Sequence, residues 1–189
     1  MRVLLVSDIF GLCESTDLLI SALTAQGHSL EIVEPYNKQR HDFVDETGAY
    51  DAFVEHCGHD DYLALTTAAL VAFKPDVVIG FSAGANALWR ASTLKQSNGL
   101  QFICFYPTRI HRFLDHEVNS TTEVIFPAFE SAFDVAEIDK AIATKENVTT
   151  QVTPYQHGFM NSRSKAYSDM AQAYGLDLLK TRLLAYSAL

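Results

Sequence analysis

Short, nearly all-apolar runs alternate along the chain with longer stretches of helical periodicity. Six such runs stand out: Arg2 to Ser7, Ser29 to Glu34, Asp76 to Gly80, Leu100 to Tyr106, Glu123 to Phe126 and Val148 to Thr153. Val3-Leu4-Leu5-Val6 and Val77-Val78-Ile79 leave no polar face, so strands there must be covered on both sides. The intervening patterns predict helices near 14–26, 61–73, 83–95, 134–145 and 164–186. Alternating strand and helix signals of these lengths predict an α/β fold, a three-layer α/β/α arrangement around a mostly parallel sheet of about six strands. In the last helix, Ala166, Met170, Ala173, Leu176 and Leu179 recur at a spacing that assigns them to one face, which is expected to dock on the sheet. One stretch resists the scheme. From Pro35 to Asp60 polar and aromatic residues alternate irregularly, and a loop of that length in a compact domain is either functional or hides a short element. Its aromatic residues Tyr36, Phe43, Tyr50 and Phe53 either line a pocket or anchor the loop to the core.

The chain has 189 residues and 21.0 kDa, which fits a single domain spanning 1–189. Hydrophobic residues make up 48% and charged residues 20%, the balance of an ordinary globular protein. Fourteen basic against 23 acidic residues give a net charge of −9, a field that repels nucleic acid and anionic membranes, so neither is expected as a partner. Cys13, Cys57 and Cys104 are scattered and form no C-x-x-C pair, which argues against a disulfide framework or a thiolate zinc site and for a reducing compartment. Asp8 interrupts the apolar start too early for a signal peptide, and no stretch is long enough to span a bilayer, so the expected location is cytoplasmic.

Candidate chemistry centres on Gly80-Phe81-Ser82-Ala83-Gly84. Lys74-Pro75-Asp76-Val77-Val78-Ile79 reads as a buried strand running into it, and Ala83-Gly84-Ala85-Asn86-Ala87-Leu88-Trp89 opens a helix immediately after it. A strand, a sharp turn and a helix are what hold a serine Oγ above a sheet edge, because side chains two residues either side would collide with the backbone of so tight a turn. The helix N-terminus adds free N–H groups beside a developing oxyanion. A serine nucleophile needs a base, which in this topology follows the acid in sequence and sits after a late strand. His157, in Tyr155-Gln156-His157-Gly158-Phe159 between the last strand and the last helix, has that placement, whereas the histidines at 28, 41, 56, 59, 111 and 116 lack it.

Taken in order, Asp8-Ile9-Phe10-Gly11 after the first strand, the Ser82 elbow and His157-Gly158-Phe159 before the final helix resemble the dienelactone hydrolase family of α/β-hydrolases over most of the chain. The resemblance implies a carboxylic-ester hydrolase that uses an acyl-enzyme and no cofactor, with a small-molecule ester, thioester or lactone as substrate. It also implies an oxyanion hole made by the backbone N–H groups of Ile9 and Ala83. This sequence departs from the family in three respects. Family members acting on dienelactone carry Cys in place of Ser82 and often Glu in place of Asp8. The arginine expected four residues after the histidine is Asn161, with Arg163 displaced from that position. The strands that precede the first one in larger relatives are expected to be missing, so the expected fold is a trimmed α/β-hydrolase fold.

Two carboxylates follow the strand ending at Phe126, and either can complete a triad. The family's acid lies three or four residues past the strand, in a turn, ahead of an aromatic and a small apolar residue. Glu130-Ser131-Ala132-Phe133-Asp134-Val135 assigns that place to Glu130, while Asp134, three residues before Glu137, suits a helix cap. Asp115 precedes the strand and falls at the wrong point in the order. His56-Cys57-Gly58-His59-Asp60-Asp61 has metal-type donors crowded into one short segment with no second cluster, so it reads as a solvated polar turn and no metal is expected. No Gly-x-Gly-x-x-Gly fingerprint or P-loop supports nucleotide binding. A non-catalytic doubly wound domain that binds a small ligand or a protein at its sheet edge remains the rival reading.

Overall fold

The computed structural model describes residues 1–188. Six strands, β1 (Arg2–Val6), β2 (Ser29–Val33), β3 (Val77–Phe81), β4 (Gln101–Phe105), β5 (Thr121–Phe126) and β6 (Val148–Val152), form one sheet in the order β2-β1-β3-β4-β5-β6. Every neighbouring pair is parallel. Six α-helices accompany them: α1 (Glu14–Ala25), α2 (Glu46–His56), α3 (Gly58–Phe73), α4 (Ala83–Ala91), α5 (Val135–Ile142) and α6 (Asp169–Tyr186). No helix among them is long and apolar enough to cross a membrane.

The period of two along each strand sorts the core into two layers. Val3, Leu5, Val77, Ile79, Ile103 and Ile125 pack against α1 and α6. Leu4, Val6, Val78, Phe102, Val124 and Phe126 pack on the other side, against α3, α4 and α5. β3 is therefore apolar throughout and β1 and β4 are apolar after their first residue, while the edge strands β2 and β6 carry Glu31, Thr149, Thr150 and Gln151 and are partly exposed. β1 has β2 on one side and β3 on the other, so the chain leaves β1 and β3 in opposite directions across the sheet. The carboxyl ends of these two strands frame the crevice where open α/β sheets bind ligands. The turn beginning at Ser7 and the Ser82 elbow both emerge there.

The 35–60 stretch hides a short element, one of the two readings open for it, and the expectations for segment 56–61 and for the last helix need correction. The 35–60 stretch contains α2, whose N-cap Asp45 accepts a hydrogen bond from Gly48 N at 2.8 Å and which buries only Ala49 and Phe53. So thin an apolar stripe gives little periodic signal. The segment 56–61 is consequently not a free polar turn. It is the junction of α2 with α3, bent at Gly58 with φ +69°. The last helix begins at Asp169 rather than 164, capped by Ser168, and the face it buries is Ala171, Gln172, Gly175, Leu179 and Leu183. Met170 is 73% exposed and Ala173 is exposed. The missing side chain of Gly175 is what lets Met160 lie against the helix, a contact that an apolar pattern cannot reveal.

The helix α6 is also fastened electrostatically. Arg182 on α6 donates two 2.7 Å hydrogen bonds to the carboxylate of Glu123, a buried residue on the same face of β5 as Ile125. Replacing Arg182 by Met is expected to cost about 2 kcal/mol in urea unfolding, because it leaves the Glu123 charge buried without its partner. Replacing Glu123 as well is expected to recover most of the loss; a double variant no more stable than the single one would contradict this.

Candidate active site

Ser82 stands between the end of β3 and the first turn of α4 with φ 51° and ψ −110°, in a region that non-glycine residues rarely occupy. Two hydrogen bonds hold it: Ser82 N donates to Phe105 O at 3.0 Å and Asn86 N donates to Ser82 O at 2.9 Å. The flanking glycines are required by close approach. A Cβ on Gly80 would come 2.8 Å from Leu88 Cδ1 and 2.9 Å from Ala85 N, and one on Gly84 would collide with the carbonyl oxygens of Val6 and Ser7. Ala83, first residue of α4, has no carbonyl one turn earlier in the helix to receive its N–H.

The loops after β5 and β6 are tied together. Thr153 N donates to Phe126 O at 2.9 Å, and Ala128 N donates to Tyr155 O at 2.7 Å. This brings Glu130 from one loop beside His157 from the other. The Nδ1–H of His157 donates to Glu130 Oε1 at 2.5 Å, and Ser82 Oγ lies 2.9 Å from His157 Nε2, which faces it as an acceptor. The Glu130 side chain is 8% exposed, and the imidazole rests edge-on against the buried Tyr106 ring at 5.0 Å. Asp134 is elsewhere: it caps α5, accepting from Ala136 N at 2.8 Å and Glu137 N at 3.1 Å.

Opposite the elbow, the turn after β1 is fixed at several points. Asp8 accepts from Phe10 N at 3.0 Å and from Asn161 Nδ2 at 2.7 Å. The Tyr36 hydroxyl donates to Ile9 O at 2.6 Å, and Tyr36 N is itself held by Glu34 at 2.8 Å. A cavity of about 120 Å³ beside Ser82 is lined by Ile9, Phe10, Tyr50, His59, Ala83 and His157. The four aromatic residues of the 35–60 stretch thus divide: Tyr50 faces the cavity and Tyr36 holds Ile9, while Phe43 stacks on His41 and Phe53 packs in the core against Tyr62. His59 enters the site unforeseen, because its segment reads as a surface turn until α2 and α3 are known. Burial, then Arg109, pulls its pKa down to about 4. Asn161 stands where the family resemblance places an arginine, and the nearby Arg163 is occupied with Glu14 at 3.0 and 2.9 Å and Asp42 at 2.9 Å. Among the described residues no three His, Cys, Asp or Glu side chains come together as metal ligands.

Asp8 is buried, and that burial pushes its pKa up to about 6 against the opposing hydrogen bonds from Asn161 and Phe10. An acid with a raised folded-state pKa takes up more protons folded than unfolded, so it stabilises the fold at low pH and loses that contribution as pH rises through about 4 to 6. His59 acts in the opposite sense over a similar range, because its lowered pKa resists protonation in the fold. Wild type measured against Asp8→Asn isolates the first effect. The difference is expected to move against wild type by up to about 3 kcal/mol between pH 4 and 7; a pH-independent difference in chemical denaturation would contradict it.

The sequence matches no protein-family model. A stretch of 89 residues, 46% of this chain and 43% of the relative, is 34% identical to the uncharacterized protein YczH of Bacillus subtilis strain 168, so the match spans less than half of that relative. Among solved structures, a dienelactone hydrolase-like promiscuous phosphotriesterase from metagenomic libraries superposes over 100% of this chain and 86% of its own with a TM-score of 0.72 at 16% identity. Est1E from Butyrivibrio proteoclasticus, solved with ferulic acid, covers 100% and 90% with a TM-score of 0.66 at 13% identity. An alpha-beta serine hydrolase homologue from Coxiella burnetii covers 96% and 85%, with a TM-score of 0.57 and 13% identity. The fold of this chain is that of the α/β-hydrolases, with dienelactone hydrolase-like proteins among its structural neighbours.

Proposed function

We propose that this chain is a serine hydrolase that cleaves a small carboxylic ester, thioester or lactone through an acyl-enzyme on Ser82. The observation that carries the reading is the continuous line Ser82 Oγ, His157, Glu130, with hydrogen bonds of 2.9 and 2.5 Å, in a chain whose Ser82 is held at a strained φ of 51° at the mouth of a cavity. Ser82 Oγ attacks the ester carbonyl while its proton passes to His157 Nε2. Glu130 keeps His157 in the tautomer that presents a free Nε2 and stabilises the imidazolium that forms. The backbone N–H groups of Ile9 and Ala83, both at the cavity wall, receive the oxyanion; a donor of this kind contributes on the order of 10²–10³ in rate. His157 then protonates the departing alcohol, and a water activated by the same imidazole releases the acid. No step calls for a cofactor.

Hydrolysis of 4-nitrophenyl acetate by the purified chain, with a fluorophosphonate label followed by intact mass, tests the reading. Ser82→Ala is expected to abolish labelling and lower kcat by at least about 10³. Glu130→Gln is expected to lose about 10²–10⁴ in kcat with an unchanged melting temperature, the cost of a wrongly oriented imidazole. Asp134→Asn is expected to stay within a few-fold of wild type, since asparagine also caps helices. The inverse pattern for Glu130 and Asp134 would reassign the acid, and a chain that neither takes the label nor turns over esters would be a ligand-binding domain.

A further inference from the structure

Beside the Ser82 cavity lies a second, open groove of about 690 Å³. It shares Glu46, Tyr50, His59, Thr108 and His157 with the cavity, then continues past Arg109, Arg112, Glu130 and Gln156. Its charges are unevenly engaged. Glu130 is bonded to His157, and Glu46 accepts from Ser164 Oγ at 2.6 Å and Lys165 N at 3.3 Å. Four other arginines, Arg40, Arg90, Arg163 and Arg182, are each held in an ion pair. Arg109 and Arg112 make no ion pair and no side-chain hydrogen bond among the described residues, in a chain with nine more acidic than basic side chains. Two cations left unneutralised on one short turn, in a protein with that surplus of carboxylates, mark a place where positive charge is kept available. The groove also holds unmet polar atoms. His59 Nε2, Thr108 Oγ1 and His111 Nδ1 are buried with no hydrogen-bond partner among the described residues. The field of the arginines is felt at the mouth: Arg109 and Arg112 both help to keep His59 neutral.

The two spaces stand differently toward the chemistry. The cavity is walled by Ser82, Ile9 and Ala83, while the groove touches His157 and Glu130 but none of those three. In the hydrolase reading, on which this inference rests, the leaving oxygen takes its proton from His157 Nε2, so the alcohol portion lies on the histidine side of Ser82, toward the groove. The 120 Å³ cavity, by contrast, suits a small acyl group. We propose that Arg109 and Arg112 bind an anionic group, a carboxylate or a phosphate, carried on the alcohol portion of an ester whose small acyl group enters the cavity at Ser82. Guanidinium forks suit both anions, and charge-assisted contacts of this type are about twice as strong as neutral ones.

The test compares 4-acetoxybenzoate with its methyl ester, each kcat/KM divided by the rate of hydroxide-catalysed hydrolysis of the same compound. Wild type is expected to favour the carboxylate by at least about tenfold at low ionic strength, with the preference shrinking as salt is added. Arg109→Gln and Arg112→Gln are each expected to reduce the ratio, and the double variant to bring it near one; the ratio cancels general damage to the fold. A wild-type ratio near one, or a ratio intact in the double variant, would overturn the proposal. Acetoxyphenyl phosphate, run in parallel, shows which anion the arginines prefer. Calorimetric binding of 4-hydroxybenzoate and its methyl ester to the Ser82→Ala chain reads the same site without turnover. Tenfold tighter, arginine-dependent binding of the carboxylate by the Ser82→Ala chain, together with a wild-type chain that cleaves neither ester, would keep the anion site and remove the hydrolase reading. Equal turnover and equal binding of charged and neutral partners would do the reverse.

Discussion

Everything at the site depends on how closely the backbone of α4 approaches the ends of β1 and β3. Gly84 sits against the carbonyl oxygens of Val6 and Ser7, and Gly80 sits beneath the first turn of the helix. With both approaches that tight, the one residue able to join β3 to α4 is forced to a positive φ, at a cost of about 1–3 kcal/mol. The helix repays the strain by burial: Leu88 and Trp89 are fully enclosed, and burying one such side chain contributes about 2–3 kcal/mol. Packing therefore wins over local conformational preference, and Ser82 Oγ is held outward as a result. The same contact brings Ile9, just beyond β1, and Ala83, just beyond β3, to the wall of one cavity.

Charge is distributed around this point with a division of labour. Glu130 faces His157 directly, while Asp8, in the turn after β1, is held by Asn161 and Phe10 N. A cation at position 161 would meet the Asp8 carboxylate, and asparagine there leaves that carboxylate hydrogen-bonded but not neutralised by a full charge. Positive charge is carried instead across the opening, on the turn after β4, where Arg109 and Arg112 face the groove. The chain's acidity and its cationic turn are thus compatible features: the one sets the global field, the other a local exception.

β1 and β3 were legible in the sequence because burial on both faces demands unbroken apolar runs, and the elbow was legible because steric exclusion demands glycine two residues either side of Ser82. His157 followed from its position after the last strand and Glu130 from the place of the acid in the resembling family; in the structure Glu130 is within hydrogen-bond reach of His157, and His157 of Ser82. What the sequence hid has a common physical origin, namely contacts supplied by other parts of the chain. The helix α2 buries only Ala49 and Phe53, so its existence rests on the Asp45 cap and on α3 beside it. The docking face of α6 uses Gln172 and Gly175, which no hydropathy pattern selects, while the apolar Met170 points to solvent. His59 is missed for the same reason, and so is the contact of Tyr36 with Ile9, since both exist only once α2, α3 and the β1 turn are packed together. Asp45 followed by an acidic first turn was the one local signal that could have revealed α2.

The central claim is that Ser82 becomes covalently acylated during turnover, and rapid acid quenching during hydrolysis of 4-nitrophenyl acetate tests it most directly. Intact mass and peptide mapping should find one acetyl group per chain, on Ser82, formed in step with a burst of nitrophenol and decaying at the steady-state rate. Turnover without an adduct, or with the acetyl group on any other residue, would contradict the account.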